Sequence, residues 1–370
     1  MPTGGDIPCP TNSLGALADD PAGEGMGHSR RSTAPVLALI IAMATPLALG
    51  VPPAAGGDQV TSVAVTKPRY ESPGGMVPIV VTAWHPPAGY AIAFDVDLVD
   101  GSPATCTGPM WRNPIRDTTS QKCYLTLPLT PGAYLVRSRA TFSRAGMADI
   151  VVETVSPHEL KADGYPSSTP MTLARAQAIE HCWNQTDYVW LTFDDSMNPT
   201  KLAYVFDLAH RNNVRVRFLL TGKLLAKQPL YPRRVRRHGH LMGNHTYGHL
   251  PLSRTADEQV LSQIDRGAAS TTSPKLLRPP YGAGAFTTRL ESLAARRNYS
   301  LCRWTVDTVD WRGDPADVLI ERVAYGDYMT PPVGPGGVIL MHGHGEHTME
   351  ALQGIIDAVR ARGLELEPLN

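Results

Sequence analysis

The chain has 370 residues, with 34 Lys+Arg against 34 Asp+Glu, 18% charged and 42% hydrophobic residues. That length accommodates two domains with real cores, and the composition excludes a disordered chain. A formal net charge of zero leaves no electrostatic footprint for nucleic acid, and no such partner is expected.

Residues 1–56 read as an N-terminal extension carrying a secretory signal at about residues 26–55. In "SRRSTAPVLALIIAMATPLALGVPPAAGG" two arginines precede an apolar run broken by Pro46, and small residues follow. This is the order of n-region, h-region and cleavage site. Met26, just before the basic residues, is a candidate start. The run from Ala34 to Gly50 is short for a membrane span, so a secreted or envelope-associated protein without stable membrane insertion is expected. Export changes the meaning of the cysteines. Cys9 lies upstream of the apolar run, and Cys106, Cys123, Cys182 and Cys302 remain, an even number in an oxidising compartment. Three pairings can be drawn. Keeping each bridge inside one inferred domain favours Cys106–Cys123 and Cys182–Cys302. No C-x-x-C occurs, which argues against a thiolate zinc site.

Residues 57–156 read as a small all-β domain. In "YAIAFDVDLVDG", Phe94, Val96 and Leu98 alternate with Asp95 and Asp97. "CYLTLPLTPGAYLVRSRATF" puts Leu125, Leu127 and Leu129 on one side before a Pro-Gly turn. Short alternating runs with such turns predict an antiparallel, immunoglobulin-like sandwich. Trp84, Tyr90 and Trp111 read as core or edge aromatics rather than a sugar-stacking surface. Residues 157–185 read as a linker with a short helical pattern near its end.

From residue 186 the rhythm changes. Apolar runs at 188–193, 214–220, 240–243, 275–278, 299–305, 337–341 and 364–368 alternate with helical segments such as 200–212 and 348–362. Strands alternating with helices predict parallel β/α units. Seven of them predict an incomplete, distorted (β/α) barrel over 186–370, so the chain as a whole is α/β with a β-sandwich in front. The basic run Arg233, Arg234, Arg236, Arg237 reads as a solvated helix face.

The stretch "GNHTYGHLPL" places His245 and His249 four residues apart, about one helical turn. Taken alone, such a pair is more often a surface or turn feature than a ligand set. Its context changes the reading. Asp194 and Asp195 follow the first strand, the histidine pair the third, Arg278 the fourth, Asp307 and Asp310 the fifth, and His342 the sixth. All stand at C-terminal strand ends, where β/α barrels assemble their chemistry. Two imidazoles and a carboxylate with an open fourth position match a catalytic zinc-type site. The two aspartates of "LTFDD" point differently on leaving a strand. One can therefore bind a metal while its neighbour takes a proton from water. An arginine from "RPPYG" can hold that base ionised, and His342 can protonate a leaving group from the opposite side. Hydrolysis of an unreactive amide or ester needs this set.

These segments resemble the polysaccharide deacetylases of the NodB-homology type, carbohydrate esterase family four. "TFDD" at 192–195, "HTYGH" at 245–249, "RPPYG" at 278–282, "DTVDW" at 307–311 and "ILMH" at 339–342 resemble that family's five motifs, in order. The resemblance covers roughly residues 185–370. It implies that Asp194 is the general base, that Asp195, His245 and His249 hold one divalent metal ion, and that Arg278 orients Asp194. It further implies that the Tyr281 N–H stabilises the oxyanion, that His342 is the general acid tuned by Asp310, and that Trp311 and Leu340 wall a pocket for the acetyl methyl. Zinc is the first choice, with cobalt or nickel able to substitute. Asn244 and Thr246 read as supports, Asp307 as loop capping, and His344 and His347 as rim or cap residues. The expected substrate is an N-acetylglucosamine polymer, of chitin or peptidoglycan type, acted on by a monomer. Two other readings stand beside it: an O-acetyl esterase on xylan, and a non-catalytic wall-binding protein. Two departures concern the cleft rim. The family's Gly-Pro after the aspartates is Ser196-Met197-Asn198-Pro199 here, and Gly343 follows His342 where the family has aspartate.

Overall fold

Period-two alternation in the first half of the chain produces two facing antiparallel sheets. The structure, a computed structural model, describes residues 62–66, 71–155 and 160–369. The inferred signal segment and Cys9 lie outside the described residues. One sheet runs Ser62–Val65, Met76–Trp84, Thr118–Thr126, Thr105–Cys106, with Trp111–Asn113 also paired to Thr118–Thr126. The other runs Ala91–Leu98, Val136–Ser143, Ile150–Val155. Phe94, Val96 and Leu98 bury against Val77, Ile79, Val81 and Leu125, while Asp95 and Asp97 stay on the outer face. Leu129, expected on the same side as Leu125 and Leu127, is 44% exposed. The strand stops at Thr126, so the pleat no longer carries the alternation that far. Cys106–Cys123 bridges two neighbouring strands of the first sheet.

The stretch read as a linker carries structure. Leu160–Ala162 pairs with Gly132–Tyr134, and helix α1 spans Leu173–Glu180. Polar contacts dock the sandwich on the second half of the chain. Lys122 and Tyr124 donate to the Glu180 carboxylate at 2.7 and 2.5 Å. Asn113 Nδ2 donates to Gly326 O at 2.7 Å and to Glu321 at 2.8 Å, and Trp111 Nε1 to Asp327 O at 3.3 Å. Trp84 lies against Tyr328. Two of the three aromatics weighed as a sugar platform therefore face the second half of the protein.

That second half is built on seven parallel strands: β1 (Trp190–Asp195), β2 (Val216–Leu220), β3 (Leu241–Asn244), β4 (Leu276–Leu277), β5 (Ser300–Leu301), β6 (Val306–Asp307) and β7 (Val338–His342). Their spatial order is β5-β4-β3-β2-β1-β7-β6. The central strands are buried on both faces, as the unbroken apolar runs of parallel sheets require. Helix α2 (Pro199–Asn212) starts at Asn198, whose side chain accepts from the Lys201 N–H, and ends at Asn213 in the left-handed region. Its Leu202, Val205, Phe206 and Ala209 are buried, as are Leu352, Ile355, Ile356 and Val359 of helix Thr348–Ala361.

Two strand expectations are corrected. The run 364–368 forms only a single bridge, Leu366 to Val189. The run 299–305 divides into β5, with β6 beginning just beyond it. β5 and β6 are the two edges of the sheet, so the barrel is open between them, and residues 302–305 cross the gap.

Candidate active site

The C-terminal ends of β1, β3, β4, β6 and β7 bring the expected polar residues together. Asp194 and Asp195 close β1. Asp194 continues the pleat, but Asp195 has φ 68°, which turns its carboxylate away from its neighbour's direction. At the end of β3, Asn244 holds the histidine loop. Its Oδ1 accepts the Thr246 N–H at 2.7 Å and its Nδ2 donates to Ile264 O at 2.9 Å, a supporting position. Thr246 and His249 both take positive φ.

Asp195, His245 and His249 each present one donor atom, all within 4.8 Å of one another. Asp195 Oδ1 lies 3.0 Å from His245 Nε2 and 2.8 Å from His249 Nε2, yet this buried oxygen has no hydrogen-bond partner. His245 Nδ1 sits 2.8 Å from the Arg278 carbonyl. A carbonyl only accepts, so Nδ1 carries a proton, and in the neutral ring the Nε2 lone pair faces Asp195. An imidazole lone pair opposite a carboxylate oxygen is repulsive unless a cation lies between them. The donor set therefore fits a divalent ion. His344 Nδ1 stands 3.7 Å from the other oxygen of Asp195, half-exposed.

Arg278 is completely buried. Nη1 donates to Asp194 Oδ1 at 2.7 Å and to Thr192 Oγ1 at 2.8 Å. Nη2 donates to Arg303 O at 2.8 Å. Across the site, His342 Nδ1 donates to Asp310 Oδ1 at 2.7 Å, and the His342 backbone N–H meets Asp310 Oδ2 at 2.7 Å. Thr348 Oγ1 donates to that same oxygen at 2.6 Å. Burial alone pushes the His342 imidazole down, but the Asp310 hydrogen bond and charge, helped by Asp194 and Asp195, push it up to about 9. Burial pushes the Asp310 carboxyl up, and the His342 contacts more than reverse this. Asp307 Oδ1 accepts the Val309 N–H at 2.8 Å, a loop cap.

Tyr281 lies in the short turn Pro280–Gly282 with φ 60°. Its half-exposed ring sits edge-on to His249, centroids 4.5 Å apart. Trp311 is 43% exposed in the turn that begins at Asp310, and Leu340 is buried in β7. Thr192 and Thr348 were not among the expected residues. Thr192 stands two before Asp194 on the same face of β1, a spacing that could have flagged it. Thr348 lies 38 residues from Asp310 and nothing local marks it.

Known proteins resemble this part of the chain. A family model described as "Polysaccharide deacetylase" matches residues 184–301. A peptidoglycan-N-acetylglucosamine deacetylase of Bacillus cereus is 32% identical over 216 residues, 55% of this chain and 75% of that protein. A chitooligosaccharide deacetylase of Bradyrhizobium is 29% identical over 204 residues, 50% of this chain and 90% of that protein. Among solved structures, a family 4 carbohydrate esterase from Streptomyces lividans in complex with acetate superposes with TM-score 0.42 at 28% identity, covering 49% of this chain and 91% of that one. With a relative this similar covered over three quarters of its length, the chain belongs to the polysaccharide deacetylase family.

Proposed function

We propose that the protein removes N-acetyl groups from N-acetylglucosamine-containing polysaccharide, of chitin or peptidoglycan type. The observation that carries this reading is two opposed charged pairs at one site: Arg278 on Asp194 at 2.7 Å, and Asp310 on His342 at 2.7 Å. One pair orients a carboxylate that can take a proton, and the other holds an imidazolium that can give one.

Asp195, His245 and His249 would hold the metal ion, zinc first. A divalent cation bound there supplies Lewis-acid polarisation of the acyl oxygen and lowers the pKa of a water in the site. Asp194 accepts that water's proton as its oxygen bonds to the acyl carbon. Arg278 occupies one oxygen of Asp194 and leaves the other for this task. The Tyr281 N–H donates to the oxyanion. His342, whose Nδ1 is engaged by Asp310, protonates the departing nitrogen from Nε2, the C–N bond breaks, and acetate and a free amine result. Trp311 and Leu340 flank the methyl group. The two disulfides, Cys106–Cys123 and Cys182–Cys302, support an oxidising, extracytoplasmic location. No helix among the described residues is long and apolar enough to cross a membrane.

The test is acetate release from chitooligosaccharide, peptidoglycan and acetylxylan, each with and without chelator. Chelator-sensitive release from the first two supports the reading. Release from acetylxylan alone assigns the site to O-acetyl esters, and no release from any, with metal bound, refutes the reading.

A further inference from the structure

Behind the base-orienting arginine lies a disulfide. Arg278 Nη2 stands 3.4 Å from Cys302 Sγ and 3.7 Å from Cys182 Sγ, and both cysteines are buried. The one strong acceptor on this edge of the guanidinium is Arg303 O, at 2.8 Å. That carbonyl belongs to the residue after Cys302, and Cys182 Sγ lies 2.9 Å from it. Arg278 Nε has no partner. The far edge of the arginine is therefore held by one carbonyl and one sulfur pair.

The backbone around that carbonyl is anchored on either side, and the disulfide is its covalent tie to the segment after α1. Residues 302–305 cross the open side of the barrel between two strands of two residues each. Their backbone is tied by Cys302 N–H to Leu277 O at 2.9 Å, Arg303 N–H to Ile179 O at 2.8 Å and Thr305 N–H to Val338 O at 3.0 Å. Cys182 follows α1 with φ 52°, and Trp183 with φ 62°, so the chain makes a left-handed excursion that brings its sulfur under the arginine.

We propose that the Cys182–Cys302 disulfide is a positioning element for catalysis: it fixes the Arg303 carbonyl and the wall against which Arg278 rests, and through them the grip on Asp194. The proposal builds on Asp194 as the general base. Removing the two sulfurs takes away the covalent tie and leaves a void behind the guanidinium. In a close-packed interior such a void is closed by movement of its lining, here the arginine and the carbonyl it holds. Cys106–Cys123, within the sandwich sheet, provides the matched control.

The experiment compares the full chain with Cys182→Ala/Cys302→Ala and with Cys106→Ala/Cys123→Ala. Expected for the first variant is a kcat on chitooligosaccharide lower by about 10- to 100-fold, the scale of a small misplacement near the chemistry, with KM and metal content unchanged. Expected for the second is a kcat within about twofold of the parent, as for a change far from the site. Nitrogen-15 NMR of the Arg278 guanidinium supplies a readout independent of activity. Its Nη protons should exchange slowly in the parent and rapidly in the first variant only. An unchanged kcat or unchanged exchange in Cys182→Ala/Cys302→Ala overturns the proposal, as does rapid Nη exchange in the parent, a measurement that needs no variant to fold. A parent that binds metal but releases no acetate refutes the proposed function instead, and the exchange measurement still decides the role of the bridge.

Discussion

His342 and Asp310 are joined at two points: ring to carboxylate and backbone N–H to the same carboxylate, each at 2.7 Å. The backbone contact fixes the carboxylate beside the ring, the imidazole cannot rotate without breaking its own contact, and its pKa is raised from 6.5 to about 9. A general acid with that pKa stays protonated across neutral pH, so activity should fall on the alkaline side near pH 9. Asp310→Asn removes the charge, and the alkaline limb of the kcat profile should move down toward 6.5. The same shift affects stability. A raised folded pKa contributes stabilisation that is complete below the unfolded value and lost as pH rises through the folded one. Urea midpoints of the parent should therefore decline between about pH 6.5 and 9, and those of Asp310→Asn should decline less. Coincident alkaline limbs for the two proteins would refute the assignment.

The proposed metal triad predicts a division among neighbours. His249→Ala and Asp195→Ala should lose the ion, read by calorimetric titration with zinc into chelator-treated protein. Zinc binding that survives both substitutions at parental affinity would place the site elsewhere.

Asp194→Asn should retain the ion and lose kcat by about 100- to 10,000-fold, the range for removing a general base. If this variant empties the site while Asp195→Asn keeps it, base and ligand are exchanged.

The sandwich predicts a dependence that composition alone hides. From the sequence, a fragment of about residues 180–370 is expected to keep its activity on small soluble oligomers, because every inferred site residue lies within it. The packing argues otherwise. Without the sandwich, Glu180 loses Lys122 and Tyr124, and the 326–327 loop loses Asn113 and Trp111. That loop carries Asp327, which holds Arg322 at 2.7 Å, and Arg322 in turn donates to Thr308 O at 2.8 Å, two residues before Asp310. The fragment should lose activity on soluble and insoluble substrates alike. In the full chain, Asn113→Ala should cost about 1–3 kcal/mol in urea unfolding, the penalty of unsatisfied buried partners. A fragment with parental kcat/KM on soluble oligomer would refute this dependence.

The features legible in the sequence obey local rules. Parallel strands buried on both faces are apolar runs, so a polar residue at the end of such a run declares itself: Asp194 after "WLTF", His342 after "VILM". Short-range spacing showed the histidine pair in the same way. What sequence alone could not decide depends on contacts between distant segments. The strand runs at 299–305 and 364–368 differ in the fold because β5 and β6 are two residues each, too short for any period to show, and because Leu366 makes a single bridge. That Asp195 rather than Asp194 turns toward the histidines rests on a left-handed residue at the strand end, a conformation open to aspartate but uncommon, and not announced by the pattern of a strand. The partners of Arg278 lie 86, 96 and 24 residues away at Thr192, Cys182 and Cys302. Only the folded chain brings a hydroxyl, a carboxylate and a sulfur bridge around one guanidinium, because a buried charge must collect its hydrogen-bond partners from wherever the packing places them.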